Sequence, residues 1–187
     1  MTSTNETPNF FRRIAAFALD YLLIAGYLVV LAIVSSILAF GPLKDGWQVL
    51  KSSPELMDLV GFVTAILPVI LYFTLLESSE SGATWGKNRM GLRVVHMSGE
   101  RLSRGRALMR SVVKFLPWQL GHTCLFHIPG WPMETQEPPV WVIGGLVLMW
   151  VVIGFYIMTL AVGPTRRTPY DWVAGSRVVG SKMKSAG

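Results

Sequence analysis

Residues 14–40 read IAAFALDYLLIAGYLVVLAIVSSILAF, twenty-seven residues that carry one charge, Asp20. At a helical rise of about 1.5 Å per residue the run is long enough to cross the roughly 30 Å hydrocarbon core of a bilayer. It is too long for the apolar region of a secretory signal and holds a carboxylate, so it reads as a retained anchor. Asp20 sits about two helical turns inside it. An ionised carboxylate costs roughly 2.5–3.5 kcal/mol at the centre of a membrane helix and less near an end, so Asp20 needs a partner or a function.

The rest of the 187-residue chain agrees with a membrane protein: 51% of residues are hydrophobic, only 15% are charged, there are seven Trp, and mean hydropathy is positive. There is room for about three to five spanning helices and none for a separate soluble catalytic domain. Cys124 is the only cysteine, which excludes an intramolecular disulfide and a four-thiolate metal site.

A single membrane domain over 1–187 is expected, with helices at about 9–40, 59–76, 107–128 and 140–163, a loop at 77–106 and a tail at 164–187. Gly41-Pro42 ends the first helix, and Pro68 predicts a kink in the second. The fourth segment has no charge, and Gly144, Gly145 and Gly154 offer close-packing points. The third can span or lie in the interface, because Arg110 and Lys114 share one face and Pro117 follows. Charge placement decides it. The loop at 77–106 has six basic residues and the tail five (Arg166, Arg167, Arg177, Lys182, Lys184), whereas the loop at 127–139 has none and carries Glu134 and Glu137. The positive-inside rule then puts both termini and the middle loop in the cytoplasm. That needs an even number of crossings, so the third segment spans, with Arg110 and Lys114 near its cytoplasmic end. The fold class is an all-α membrane protein of about four transmembrane helices. A small β-hairpin fits the middle loop, through Leu92–Met97, a turn at Ser98-Gly99-Glu100 and Arg101–Ser103, and Ser176–Gly180 can pair with it.

Three stretches stand out in order: Arg13 and Asp20, seven residues apart in the first helix; Gly82, Thr84, Gly86, Lys87 and Gly91 in the middle loop; and residues 166–179, RRTPYDWVAGSRVV, with Asp171. Together they resemble the RDD family of small bacterial membrane proteins, named for one arginine and two aspartates. Arg13 and Asp20 match its opening motif, the loop residues its pattern G-x-T-x-G-K-x-x-x-G-[LI]-x-V, and residues 166–179 its closing R-x-x-x-x-D-x-x-A-G-T-x-V-V segment, which places the second aspartate at Asp171. Tyr170 stands where a His is common and Ser176 where a Thr is. The resemblance implies the bacterial cytoplasmic (inner) membrane and, for some members, cation/proton exchange.

The polar site expected from these residues comprises Arg13, Asp20 and Asp171, with Arg110, Lys114 and Arg167 as candidate partners. Arg13 and Asp20 share a helical face but are about 10.5 Å apart along the axis, and helical side chains lean toward the N-terminus, so direct pairing is disfavoured. Partners for Asp20 should come from neighbouring helices, Arg110 and Lys114 being best placed, while Arg13 can meet Asp171. The site is either an ion- or proton-binding carboxylate or a polar clasp between helices.

The glycine-rich loop is one residue short of a nucleotide-binding pattern and has Asn88 where Ser or Thr would hold magnesium; it reads as a tight turn whose cations face anionic lipid headgroups. His122, Cys124 and His127 do not share a helical face, so no metal site is expected. No nucleophile–base pair is visible, which argues against an enzyme and for no cofactor. Topology accounts for the basic residues, so nucleic-acid binding is not expected. Two readings stand: a transport-associated protein exchanging a monovalent cation and a proton through Asp20, or a non-transporting accessory or scaffold. In either, association with a second copy or a membrane partner protein is expected.

Overall fold

The computed structural model describes residues 8–41, 44–131, 136–163 and 165–181. Pro42, Glu134, Lys182 and Lys184, used above for topology, lie outside them. Helices dominate: α1 (Phe10–Phe40), α2 (Lys44–Lys51), α3 (Pro54–Glu77), α4 (Trp85–Arg89), α5 (Arg104–Phe126), α6 (Val140–Val162) and α7 (Pro169–Val173). Two strands, β1 (Leu92–His96) and β2 (Ser176–Gly180), pair antiparallel with Val94 opposite Val178. Three helices, α1, α3 and α6, are long and apolar enough to cross a membrane.

The long helices begin and end close to the expected positions, except that α3 starts five residues earlier. Ser53 caps it, accepting from Leu56 N at 3.3 Å with Pro54 in the first turn, where the missing proline N–H costs nothing. The helix α2 was not foreseen; it occupies the connection that read as loop. The hairpin expected in 92–103 is reduced to one bridge, Val95 to Arg101, because β1 takes the C-terminal strand as its partner.

Prolines inside helices leave a carbonyl without its N–H four residues on. Pro68 deprives Thr64 of that donor, and Pro117 deprives Val113. In both cases a tyrosine from another helix supplies a hydroxyl: Tyr27 donates to the Thr64 carbonyl, and Tyr156 to the Val113 carbonyl at 2.8 Å. These hydroxyls satisfy the carbonyls the prolines leave open and make the prolines tolerable. The irregularity expected at Pro68 takes the form of a π-helical turn at Phe62–Ile66 just before it.

The described chain divides into two compact units. One comprises residues 1–24, 70–114 and 155–187. Its apolar core is Ala16, Leu92, Val94, Leu102, Ala107 and Val178, which joins α1, the strands and α5. The other comprises residues 25–69 and 115–154 and is built on close helix contacts. Gly61 admits the Phe126 ring, Gly121 the Met149 sulfur, and Gly145 the Cys124 sulfur, each within 2.6 Å of where a Cβ would stand. Gly145 thus packs as expected, whereas Gly144 and Gly154 face open space. The most apolar stretches of α1 and α6 are only 6% and 11% buried, so lipid or protein must cover them.

Candidate functional site

The first unit encloses three fully buried carboxylates, Asp20, Glu77 and Asp171, together with buried Lys87, Arg110 and Lys114. Five elements supply these six residues. Asp20 is on α1, Glu77 in the last turn of α3, and Arg110 and Lys114 one turn apart on α5. Lys87 belongs to the short helix α4, and Asp171 to α7. Short polar helices carry these two because their caps also serve the site. Thr84 caps α4 and donates to Asp20 Oδ2 at 2.6 Å. Thr168 and Asp171 form a reciprocal capping box at the start of α7.

Asp20 is held by neutral donors first. Tyr72 Oη and Gly86 N donate to Oδ1 at 2.9 and 2.8 Å, and Lys87 Nζ stands 4.0 Å from Oδ2. The approach of α4 to α1 explains Gly86: a Cβ there would lie 2.1 Å from the Ala16 carbonyl oxygen and 2.9 Å from Asp20 Cγ. Gly82 and Gly91 serve differently, both taking a φ of +61°, which turns the chain into and out of α4.

From Asp20 the charges alternate. Lys87 Nζ is 3.0 Å from Glu77 Oε1, and Arg110 Nη1 donates to Glu77 Oε2. Arg110 also donates to Asp171 Oδ1 through Nε at 3.0 Å and Nη2 at 2.9 Å, and Arg13 Nη2 reaches Asp171 Oδ2 at 3.1 Å. The sequence Asp20–Lys87–Glu77–Arg110–Asp171–Arg13 is therefore one continuous chain of alternating sign. Lys114 Nζ lies beside it, 3.3 Å from the Phe73 ring centre and 5.2 Å from that of Phe17.

Asp171 receives the most support. Thr168 N and Oγ1 donate to Oδ2 at 3.2 and 2.8 Å, and Ser176 Oγ donates to Oδ1 at 3.1 Å. Burial pushes its carboxyl pKa up, but the Arg110 and Arg13 charges and the Thr168 bonds outweigh it and hold the group well below the usual carboxylate range. Tyr170 packs its ring 5.0 Å from the Arg110 guanidinium, and burial and the Asp171 charge push its phenol up, so it stays neutral.

Arg13 meets Asp171, as its position suggested, and does not bridge to Asp20. Arg110, expected beside Asp20, instead directs its guanidinium at Glu77 and Asp171. Arg167 fastens backbone, donating to the Ser176 and Asp171 carbonyls, both at 3.1 Å. Lys87 was expected to face lipid headgroups; it is turned inward and buried between Asp20 and Glu77. Sequence reasoning missed Glu77 and Tyr72. Glu77 is the first charge after eighteen apolar residues, a position that reads equally well as the end of a span.

Among the described residues, three helices of membrane-crossing length, with a buried charge network in the first unit, define a helical membrane protein. The chain belongs to the RDD family, whose family model matches residues 7–175. No curated protein and no solved structure matches the chain.

Proposed function

We propose that this is a non-transporting accessory protein of the bacterial cytoplasmic membrane, and that the alternating charge chain is a clasp joining helix ends to the cytoplasmic loop and tail. One observation carries this reading: all six oxygens of Asp20, Glu77 and Asp171 already face protein donors or cations. An ion entering at Asp20 would have to displace two hydroxyls, a backbone N–H and a nearby ammonium together. In this reading α5 is the fourth crossing, both termini are cytoplasmic, and exposed Arg89, Arg93 and Arg104 meet anionic headgroups. No catalysis is assigned. The uncovered apolar faces of α1 and α6 are where a second copy or a partner protein would pack.

A second reading, cation/proton exchange, draws on Lys87, whose ammonium stands between two carboxylates and could hand a proton from one to the other. Vesicles loaded with a pH dye separate the two. The clasp predicts no response to sodium or potassium gradients beyond that of empty vesicles. A response in the wild type that disappears in a folded Asp20→Asn protein would establish exchange and remove the clasp reading.

A further inference from the structure

The second unit holds a cavity of about 450 Å³ that shares no residue with the charge chain. That is the size of a small-molecule or headgroup site. Gln48 and Lys51 of α2, Met57 of α3, Phe126 at the end of α5, and His127 and Trp131 just beyond it line the cavity. It therefore lies at the end of α3 where that helix of membrane-crossing length begins.

The polar part of the lining is one-sided. Among the described residues no carboxylate oxygen lies within 4.0 Å of Lys51 Nζ, and no Asp or Glu lines the cavity. His127 Nδ1 is 2.7 Å from the Thr123 carbonyl oxygen, which can only accept, so Nδ1 carries the proton and Nε2 is the nitrogen left for a ligand. Its ring stands edge-on to Trp141, with centroids 5.2 Å apart. Gln48 adds amide donors and Trp131 an indole N–H. The charge of Glu55 reaches His127, but that carboxylate is exposed, accepts from Ser53 Oγ at 3.0 Å and stands outside the lining. Beside these donors Met57, Phe126 and the Trp131 ring form an apolar wall. An anionic group attached to a hydrocarbon matches both halves.

We propose that this cavity binds the phosphate headgroup of one anionic membrane phospholipid. Lys51 is the countercharge, Gln48 and Trp131 are further donors to phosphate oxygens, and Met57 and Phe126 meet the first carbons of the acyl chains. A choline or ethanolamine headgroup brings a cation of its own, for which the lining offers no carboxylate, so a headgroup with net negative charge is preferred. Trp is a residue of the membrane–water interface, and basic pockets at the ends of spanning helices recognise headgroups in this way. The exposed Arg89, Arg93 and Arg104 present a surface to many lipids; this cavity selects a single molecule. The site is independent of the charge chain and of whether the protein transports.

The test is photolabelling of the purified full chain in non-ionic detergent by a short-chain phosphatidylglycerol carrying a diazirine in its acyl chain, with the labelled residues mapped by peptide mass spectrometry. Label should concentrate in residues 54–57 and 126–131. Unlabelled phosphatidylglycerol should compete about tenfold better than phosphatidylcholine of the same chain length, and inorganic phosphate should compete weakly. Lys51→Gln should erase that preference and Lys51→Arg should keep it, whereas Trp131→Ser should weaken both lipids and preserve their ratio. Arg93→Gln, far along the chain in β1, should leave labelling of these residues unchanged. Label spread evenly over the chain overturns the proposal, as does equal competition by the two lipids in the wild type or an undiminished preference in Lys51→Gln. Inorganic phosphate competing as well as phosphatidylglycerol would assign the cavity to a free anion and overturn the lipid assignment.

Discussion

Replacing Arg110 by Met keeps much of the side-chain volume and removes the centre of the charge chain. Arg110 is 2% exposed and contacts two fully buried carboxylates. Without it Glu77 keeps Lys87 at 3.0 Å and the nearby Lys114 charge, and Asp171 keeps Arg13 at 3.1 Å. Breaking a buried ion pair by deleting one partner typically costs about 3–5 kcal/mol, because a charge is left buried and uncompensated. For a chain of this size each kcal/mol moves Tm by about 2–4 °C, so Arg110→Met should lower Tm by about 6–20 °C. The assay is unfolding in nanodiscs, with exposed Arg93→Met as a control expected to shift Tm by less than about 2 °C. Adding Glu77→Gln to Arg110→Met removes one of the stranded charges and should restore part of the loss. A fall in Arg110→Met no larger than that of Arg93→Met would refute the claim that the chain holds the fold together.

Three further outcomes are expected. Gly86→Ala places a methyl against the Ala16 carbonyl, so it should cost about 1–3 kcal/mol and expose the loop around Lys87 and Arg89 to trypsin, readable as faster cleavage. Tyr156→Phe leaves the Val113 carbonyl without a donor beside Pro117 and should destabilise by about 1–3 kcal/mol in a melt; Pro117→Ala in the same chain should relieve most of it. Asp171 has a depressed native pKa, so its contribution is fully present above its unfolded value near 4 and is lost only as pH falls through the native value. The Tm difference between wild type and Asp171→Asn should therefore be constant from about pH 5.5 to 8, and a difference that fades at the acidic end would contradict the assignment.

The long helices were legible because apolar runs of membrane-crossing length have few other uses, and Arg13, Asp20 and Asp171 were legible through motif spacing. The wiring among them was not. Depth along a helix suggested Arg110 for Asp20, yet the partner came from Lys87 on a five-residue helix too short to show a periodic pattern. Glu77 was hidden by its place at a span boundary, where a charge needs no explanation. The tyrosine donors could have been sought, since each proline in an apolar helix implies a carbonyl four residues earlier that needs one. Gly86 matched a motif, but its reason, contact with the Ala16 carbonyl, depends on tertiary approach that spacing alone does not encode.

The central claim is that protein donors and cations already occupy every oxygen of Asp20, Glu77 and Asp171. Infrared difference spectroscopy of the protein in lipid reads those carboxylates directly, on exchange of choline for sodium and on a step from about pH 6 to pH 8. The clasp predicts no carboxylate band that responds to sodium and is lost on Asp20→Asn. A sodium- or pH-dependent band that disappears in Asp20→Asn would show that the carboxylate is open to ions, and the clasp account would fail.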